Sequence, residues 1–221
     1  MVTKGGYNTA LRGLITTVEI AVLGLIIGVI LGTVIALVKV MPKYKLLPRI
    51  GGGICDVYVG FFRGTPMVVQ LLLGYYVILP MFGIMVDAVV VAIVIFGLNS
   101  GAYVSEIMRA GIQSVDGGQL EAGRAVGLPY WQAMLKIVIP QSIKNILPTL
   151  GNEFIVLIKE TSVVSFIAVT DLTKAFRSIG DANYEYIIPY IMLALVYLVL
   201  VLGITYLVKL MERRLNRDAR K

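Results

Sequence analysis

Long apolar stretches with almost no charge are the feature of this sequence that most restricts its fold. The clearest, Ile187–Val208, contains no Asp, Glu, Lys or Arg, and about 20 apolar residues suffice to cross a bilayer core of about 30 Å. Over the whole chain, 58% of the 221 residues are hydrophobic and 15% are charged, whereas soluble domains have about 45–50% and about 25%. The sequence therefore predicts an all-α, polytopic membrane protein rather than a water-soluble enzyme.

Five stretches are predicted to cross the membrane, and together they make residues 1–221 one transmembrane domain. The first is too long for the apolar core of a signal peptide and lacks a small-residue cleavage site, so we expect it to stay in the mature protein. The predicted spans are Leu14–Val38, Cys55–Leu79, Ile84–Met108, Gln141–Ile158 and Ile187–Val208.

The distribution of Lys and Arg predicts the orientation of these spans. The connectors Leu37–Ile50 and Met108–Lys144 and the tail Lys209–Lys221 hold fourteen basic residues, and the opposite side holds at most five. Because basic residues are enriched in cytoplasmic connectors, we expect these three segments inside the cell and the N-terminus outside. The first connector also contains Pro42, which we expect to stop the first helix.

Several kinds of chemistry are excluded by composition. Cys55 is the only cysteine and there is no histidine, so an internal disulfide and the usual ligand sets of zinc, haem and iron–sulfur centres are ruled out. No G-x-x-x-x-G-K-[ST] phosphate loop occurs, so we do not expect this chain to hydrolyse ATP by that route. The net charge of +7 fits membrane orientation better than nucleic-acid binding. We expect no catalytic residue, metal or cofactor in this chain.

A polar insert, Ser114–Lys136, separates predicted spans three and four. Glu121 is predicted to lie in the first turn of a short helix, where a carboxylate favours the positive helix end. Gly127 is predicted to end that helix, because the following Leu128 and Pro129 complete a left-handed cap and a new helix start. An ordinary amphipathic loop is the alternative interpretation of the same capping signals.

The insert resembles a known loop, E-A-A-x3-G-x9-I-x-L-P, of the permeases of ABC importers. Glu121, Ala122, Gly123 and Gly127 match or nearly match it, and Ile137-Val138-Ile139-Pro140 follows at the required spacing. In that family the loop forms a coupling helix that docks on an ATP-binding subunit. The sequence departs from the pattern at Gly123, which loosens the helix by about 1 kcal/mol relative to alanine, and by the isosteric Ile139.

Further motifs resemble the branch of this family that takes up polar amino acids, the permeases for histidine, arginine, lysine, glutamine and glutamate. The resemblance implies a type I importer fold with five spans in a bacterial inner membrane. It also implies a permease dimer, two ATPase subunits that use ATP and Mg, and an external amino-acid-binding protein. The motifs are Phe62–Pro66 with Gln70, Asn99–Tyr103 with Ser105, Glu106 and Arg109, and Asn152–Phe154 with Leu157–Ser162.

Three ionisable residues at membrane depth suggest the substrate. A charge at the bilayer centre costs at least about 2.5–3.5 kcal/mol, so such residues usually face a cavity or one another. If Glu19, Arg63 and Glu153 are ionised and face one cavity, its charge is −1. Arg63 would bind the amino-acid carboxylate, Glu153 the α-ammonium and Glu19 a cationic side chain. This arrangement favours arginine, lysine or protonated histidine.

Neutral polar residues complete the predicted site. Thr16 lies three residues before Glu19, and Asn99 and Tyr103 share a face of the third span. The alternatives are structural: Arg63 could pair with a glutamate, the amides could bond between helices, and the threonines could bond their own backbones. The candidate substrate contacts are Thr16, Glu19, Arg63, Thr65, Gln70, Asn99, Tyr103 and Glu153.

Together these features predict the transmembrane subunit of an ATP-driven importer for basic amino acids that works by alternating access. We expect a homodimer, and a heterodimer with a related permease is the other possibility. A secondary transporter or channel that relays protons or ions through the same charges is the alternative function, and a non-conducting membrane scaffold is a third.

Overall fold

The computed structural model describes residues 4–40 and 46–218, and in this part of the chain the backbone is helical with no β-strand. Two segments are π-helices, named here π1 and π2, and one is a 3₁₀-helix. In chain order the elements are α1 (Lys4–Val40), α2 (Leu46–Gly64), α3 (Met67–Leu72), π1 (Leu73–Ile78), α4 (Leu79–Met81), α5 (Ala88–Gln113), α6 (Gly117–Ala125), α7 (Tyr130–Ala133), π2 (Met134–Val138), α8 (Ile139–Glu160), the 3₁₀-helix Thr161–Ile167, α9 (Leu172–Asn183) and α10 (Ile187–Asp218).

Three of the described helices are long and apolar enough to cross a membrane. They lie over Gly5–Val40, Ala88–Gln113 and Ile187–Leu215, with mean hydropathies of 2.9, 1.9 and 2.7. A fourth crossing results if Arg49–Gly64 and Met67–Met81, which meet at an angle of 107°, form one broken span. The multi-pass character is therefore confirmed, with three or four spans by length and composition.

The predicted span Gln141–Ile158 lies within α8 but is not among those apolar helices. The cause is its composition, since Lys144, Asn145, Asn152 and Glu153 interrupt its apolar residues. Such a helix needs other helices around it to cross a bilayer.

Contacts between the helices fix their relative directions. Gly24, Gly28 and Gly32 of α1 lie against Phe96, Ser100 and Val104 of α5 in the same order, so α1 and α5 are parallel. A spacing of four between glycines favours such close contact between membrane helices, and the contact is observed.

Helices α2 and α8 run in the opposite direction to α5. Asn145 near the start of α8 bonds Ser114, just beyond the end of α5, whereas Glu153 of α8 bonds Ser100 a few turns earlier. On α2, Asp56 lies near the α5 residue Glu106 through their shared partner Lys39, whereas the later carbonyl of Phe62 binds Asn99.

The start of α2 differs from the prediction. Helix α2 begins at Leu46, nine residues before the predicted span, and includes Pro48 and Gly51–Gly53. Proline is tolerated here because the first turn of a helix has no intrahelical partner for its N–H. Pro42, the predicted helix stop, lies outside the described residues.

Candidate functional site

A cavity of about 420 Å³ lies between α2, α5 and α8. It is bordered by one positive and one negative side chain and otherwise by neutral residues. The lining residues are Arg63, Tyr103, Glu106, Ile107, Ala110, Gly111, Ser114, Asn145 and Thr149.

The guanidinium of Arg63 lies over the ring of Tyr103, with 5.4 Å between Cζ and the ring centroid. Among the described residues Arg63 has no carboxylate partner within ion-pair distance. An arginine held on an aromatic face keeps most of its donors available for an anion. The structure therefore leaves a candidate carboxylate-binding group at the wall of the cavity.

The helix break beside Arg63 explains the hydrogen bonds of two polar residues that the sequence predicts as substrate contacts. Pro66 has no N–H, so carbonyls of the last turn of α2 lack their usual partners. Gln70 Nε2 donates to the carbonyls of Phe62 at 2.8 Å and Thr65 at 3.0 Å, and Asn99 Nδ2 donates to Phe62 at 3.2 Å. These amides therefore stabilise the break.

Gln70 and Asn99 are also joined to each other, because Asn99 Nδ2 donates to Gln70 Oε1 at 2.9 Å. Thr65 Oγ1 donates to the carbonyl of Phe61 at 2.8 Å, as a threonine bonding its own helix does. The observed contacts of these three residues are therefore those of the structural alternatives: the amides bond between helices, and the threonine bonds its own backbone. Their assignment as substrate contacts stays a prediction.

Glu153 is buried where α5 and α8 meet, with 8% of its surface exposed. Its Oε1 accepts a hydrogen bond of 3.0 Å from Ser100. Thr149 lines the cavity one helical turn before Glu153, and Tyr103 lines it one turn after Ser100. Glu153 therefore lies one turn beyond the lined cavity.

Glu19 lies elsewhere, on an exposed face of α1 with half-buried Thr16 one turn before it. The shallow depression around Glu19 is lined by residues of α1 alone. Within one chain, the three ionisable residues therefore do not border one common cavity.

A charged cluster joins three helices beside the cavity. Lys39 Nζ lies 2.9 Å from both Asp56 Oδ1 and Glu106 Oε1, so it joins α1, α2 and α5. Arg109 Nη2 lies 2.6 Å from Glu106 Oε2, and these two residues are three positions apart on α5. The pairing with Lys39 bridges 67 positions, which no local spacing reveals.

The polar insert folds as a short helix, a turn and a second helix. Gly127 has φ of +90° and the N–H of Leu128 donates to Gly123 O, so the predicted left-handed end of α6 is observed. The predicted position of Glu121 in the first turn is wrong, because α6 begins at Gly117. The N-terminal acid is Asp116, whose side chain accepts from the N–H of Gly118 at 2.9 Å.

The exposed and buried faces of α6 are distinct. Glu121 and Ala122 are exposed, and Val126 just after the helix is 80% exposed. Gly123 faces the next helix, where an added methyl group would lie 2.6 Å from Ile137 Cδ1. One face of α6 is therefore packed and another is free to meet a partner.

Comparison with known proteins identifies the class of protein. The family described as "Binding-protein-dependent transport system inner membrane component" matches residues 24–217, which is most of the chain. The chain belongs to this family of transport permeases.

The relatives in this family are permeases. The chain is 42% identical to the arginine transport system permease protein ArtQ of Bacillus subtilis, over 94% of this chain and 93% of ArtQ. It is 38% identical to a putative glutamine transport system permease protein, GlnP, of Rickettsia bellii, over 92% and 91%. It is 37% identical to the L-cystine transport system permease protein TcyB of B. subtilis, over 95% and 87%.

Solved structures agree with this membership. A structure described as an amino acid ABC transporter with histidines superposes with a TM-score of 0.87 at 43% identity, over 94% of both chains. The inward-facing MetNI methionine ABC transporter shares the fold, with a TM-score of 0.74 at 17% identity over 98% of this chain and 99% of that one. The resemblance to amino-acid ABC importer permeases is confirmed, and the chain is a transporter subunit rather than an enzyme.

Proposed function

We propose that this chain is the membrane subunit of an ATP-driven importer for basic amino acids. The observation that carries the proposal is the guanidinium of Arg63, which lies at the wall of a cavity with no carboxylate partner among the described residues. Arginine binds carboxylates bidentately, and every amino acid carries one.

The choice of a basic amino acid rests on the two glutamates and on two relatives. In a chamber enclosed by two copies, Arg63 of each chain would balance one of Glu19 and Glu153, and the other glutamate would leave a charge of −1 per chain for a cationic side chain. Arginine is named for ArtQ and histidine for the solved amino-acid transporter. The glutamine and cystine permeases share less identity, at 38% and 37%.

We assign the α-ammonium to Glu153, which lies one helical turn from the cavity wall. Its rigid placement against Ser100 supports a contact common to all substrates. We assign Thr65, Gln70, Asn99 and Tyr103 to the Arg63 side of the proposed site. The first three also hold the helix break, and Tyr103 supports the guanidinium of Arg63.

We assign the variable side chain to Glu19, with Thr16 beside it. Because Glu19 lies on the exposed face of α1, one chain does not enclose it, and an ionised carboxylate facing lipid is costly. The proposal therefore includes a homodimer in which the second copy completes a central chamber around Glu19.

The proposed topology has five spans, α1, the bent α2–α4 segment, α5, α8 and α10, with the N-terminus outside. The opposite directions of α2 and α8 relative to α5 support this alternation. The charge count supports the orientation, although Lys43, Lys45, Arg220 and Lys221 lie outside the described residues.

The coupling segment is proposed to be residues 114–136, which follow the end of α5 directly. The exposed Glu121, Ala122 and Val126 support docking of α6 on an ATP-binding subunit, one copy for each permease. That subunit would hold ATP and Mg, and an external binding protein would deliver the amino acid. Gly123 and Gly127 would shape this contact by allowing close packing and the sharp turn.

The substitution Glu19→Gln tests the substrate class. We expect the preference for arginine over glutamine to fall by about tenfold or more, because one charge-assisted hydrogen bond is lost. The measurement is competition of unlabelled amino acids with radiolabelled arginine in vesicles that contain the transporter and its ATPase. Glu212→Gln, which removes an equal charge from the exposed end of α10, is the matched control and should keep the preference. An unchanged preference in Glu19→Gln contradicts the role of Glu19.

A further inference from the structure

The segments π1 and π2 share two features, a closing hydrogen bond to the carbonyl five residues back and a proline directly after the donor. In π1 the N–H of Leu79 donates to Gly74 O, and in π2 the N–H of Ile139 donates to Met134 O, each five residues back. In both cases the next residue is a proline, Pro80 or Pro140.

The prolines give a physical reason for the wide turns. Proline has no N–H, and its ring clashes with the carbonyl four residues earlier. For Pro140 that residue is Lys136, which lies within π2. A π turn holds one more residue than an α turn, so that carbonyl is moved away from the ring. Proline alone is not sufficient, because Pro148 lies inside α8 without a π turn.

Helix α6 packs against π2 and the residue before it. Gly123 of α6 approaches so closely that an added methyl group would lie 2.6 Å from Ile137 Cδ1 and 3.3 Å from Ala133 Cβ. Gly123 is buried. The position of α6 is thus set against the face that the π turn presents.

Beyond π2 the same helix continues to the proposed substrate site. Helix α8 begins at Ile139 and carries Thr149 of the cavity wall and Glu153. In an α-helix each residue adds about 100° of rotation and 1.5 Å of rise. If π2 became an α-helix with the same number of residues, the residues that contact α6 would therefore turn by about 100° relative to α8.

We infer that Pro140 is a positioning residue, which holds π2 and so sets the register between the coupling helix α6 and the substrate-facing part of α8. The inference rests on the proposed docking of α6 on the ATPase. It adds a physical role for the proline at the end of the Ile137–Pro140 motif.

The test compares Pro140→Ala with a compensated variant that combines Pro140→Ala and deletion of Leu135. Leu135 is 64% exposed, and its deletion removes the residue that makes the turn wide. The readout is the number of ATP molecules hydrolysed per arginine imported by the permease–ATPase complex in vesicles. We expect Pro140→Ala to raise this ratio by about tenfold or more, because misplaced interface anchors lose most of their binding energy. We expect the compensated variant to return to within about twofold of the original protein, because both registers are restored.

Pro80→Ala and Pro148→Ala are matched controls. Pro80→Ala removes the proline that follows π1, and Pro148→Ala removes a proline from within α8. Both should keep the original ratio. Normal coupling in Pro140→Ala overturns the inference, and so does failure of the compensated variant to recover activity or assembly. If the unmodified complex does not import, the proposed function fails first. If it imports and Pro140→Ala remains coupled, only the inference fails.

Discussion

At the scale of single residues, polar groups within the helices fall into two kinds. Gln70 and Asn99 use their amide groups on each other and on the carbonyls at the helix break, so they are satisfied inside the protein. Arg63 instead rests on an aromatic ring beside a cavity. Because an ionic group in a bilayer is stable only with a polar partner or water, the second kind is where a ligand is expected.

Glu153 has features of both kinds, because it accepts a hydrogen bond from Ser100 and lies one helical turn from the cavity wall. The substitution Glu153→Gln tests whether its charge binds the substrate. Glutamine keeps an oxygen that can accept from Ser100 but has no charge for an ammonium group. We expect the KM for arginine to rise by about tenfold to hundredfold, since a hydrogen bond between charged groups is lost. Uptake kinetics in vesicles give the value.

Thermal stability of the same variant is the control, and we expect it to stay near that of the original protein. An unchanged KM would mean that Glu153 is only a structural partner of Ser100.

At the scale of elements, the contact between α1 and α5 organises the protein. Three glycines on one face of α1 allow the backbones to approach, and Ile20 of α1 and Phe96 of α5 are fully buried in the adjoining core. Without a hydrophobic driving force between helices in lipid, such close packing supplies much of the attraction.

Gly28→Ala tests this contact. The added methyl group would lie 2.6 Å from Ser100 Oγ and 3.1 Å from the Ser100 carbonyl carbon, so backbone must move. We expect destabilisation by about 1–3 kcal/mol, measured as a lower thermal unfolding midpoint of the detergent-solubilised protein. Gly203→Ala on α10 meets no atom within 4 Å and should leave the midpoint unchanged or slightly raised. Equal midpoints for the two variants would show that the glycine contact is not needed.

At the scale of the whole molecule, much of the architecture follows from sequence. The apolar stretches predict α1, α5 and α10, because about 20 consecutive apolar residues are enough for a helix to cross a bilayer core. Gly64, Thr65 and Pro66 predict the helix break, and the spacing of Gly24, Gly28 and Gly32 predicts a close helix contact. Each of these signals is local, and each is observed.

Other features depend on distant residues and were not predictable in the same way. The cluster around Lys39 forms only once α1, α2 and α5 have packed. Glu19 is visible in the sequence, but its position on an exposed face of α1 is not. Gly51–Gly53 precede the predicted second span, which starts at Cys55, yet all three are helical residues of α2.

In the function proposed for this chain, ATP hydrolysis by a partner drives inward transport of cationic amino acids. The most direct measurement is uptake of radiolabelled arginine into vesicles that contain the permease, its ATP-binding subunit and an external binding protein. We predict accumulation that requires ATP and Mg on the ATPase side and is displaced by lysine or histidine more strongly than by glutamine. Accumulation driven by a proton gradient without ATP, or displacement by glutamine as strong as by lysine, would contradict the account.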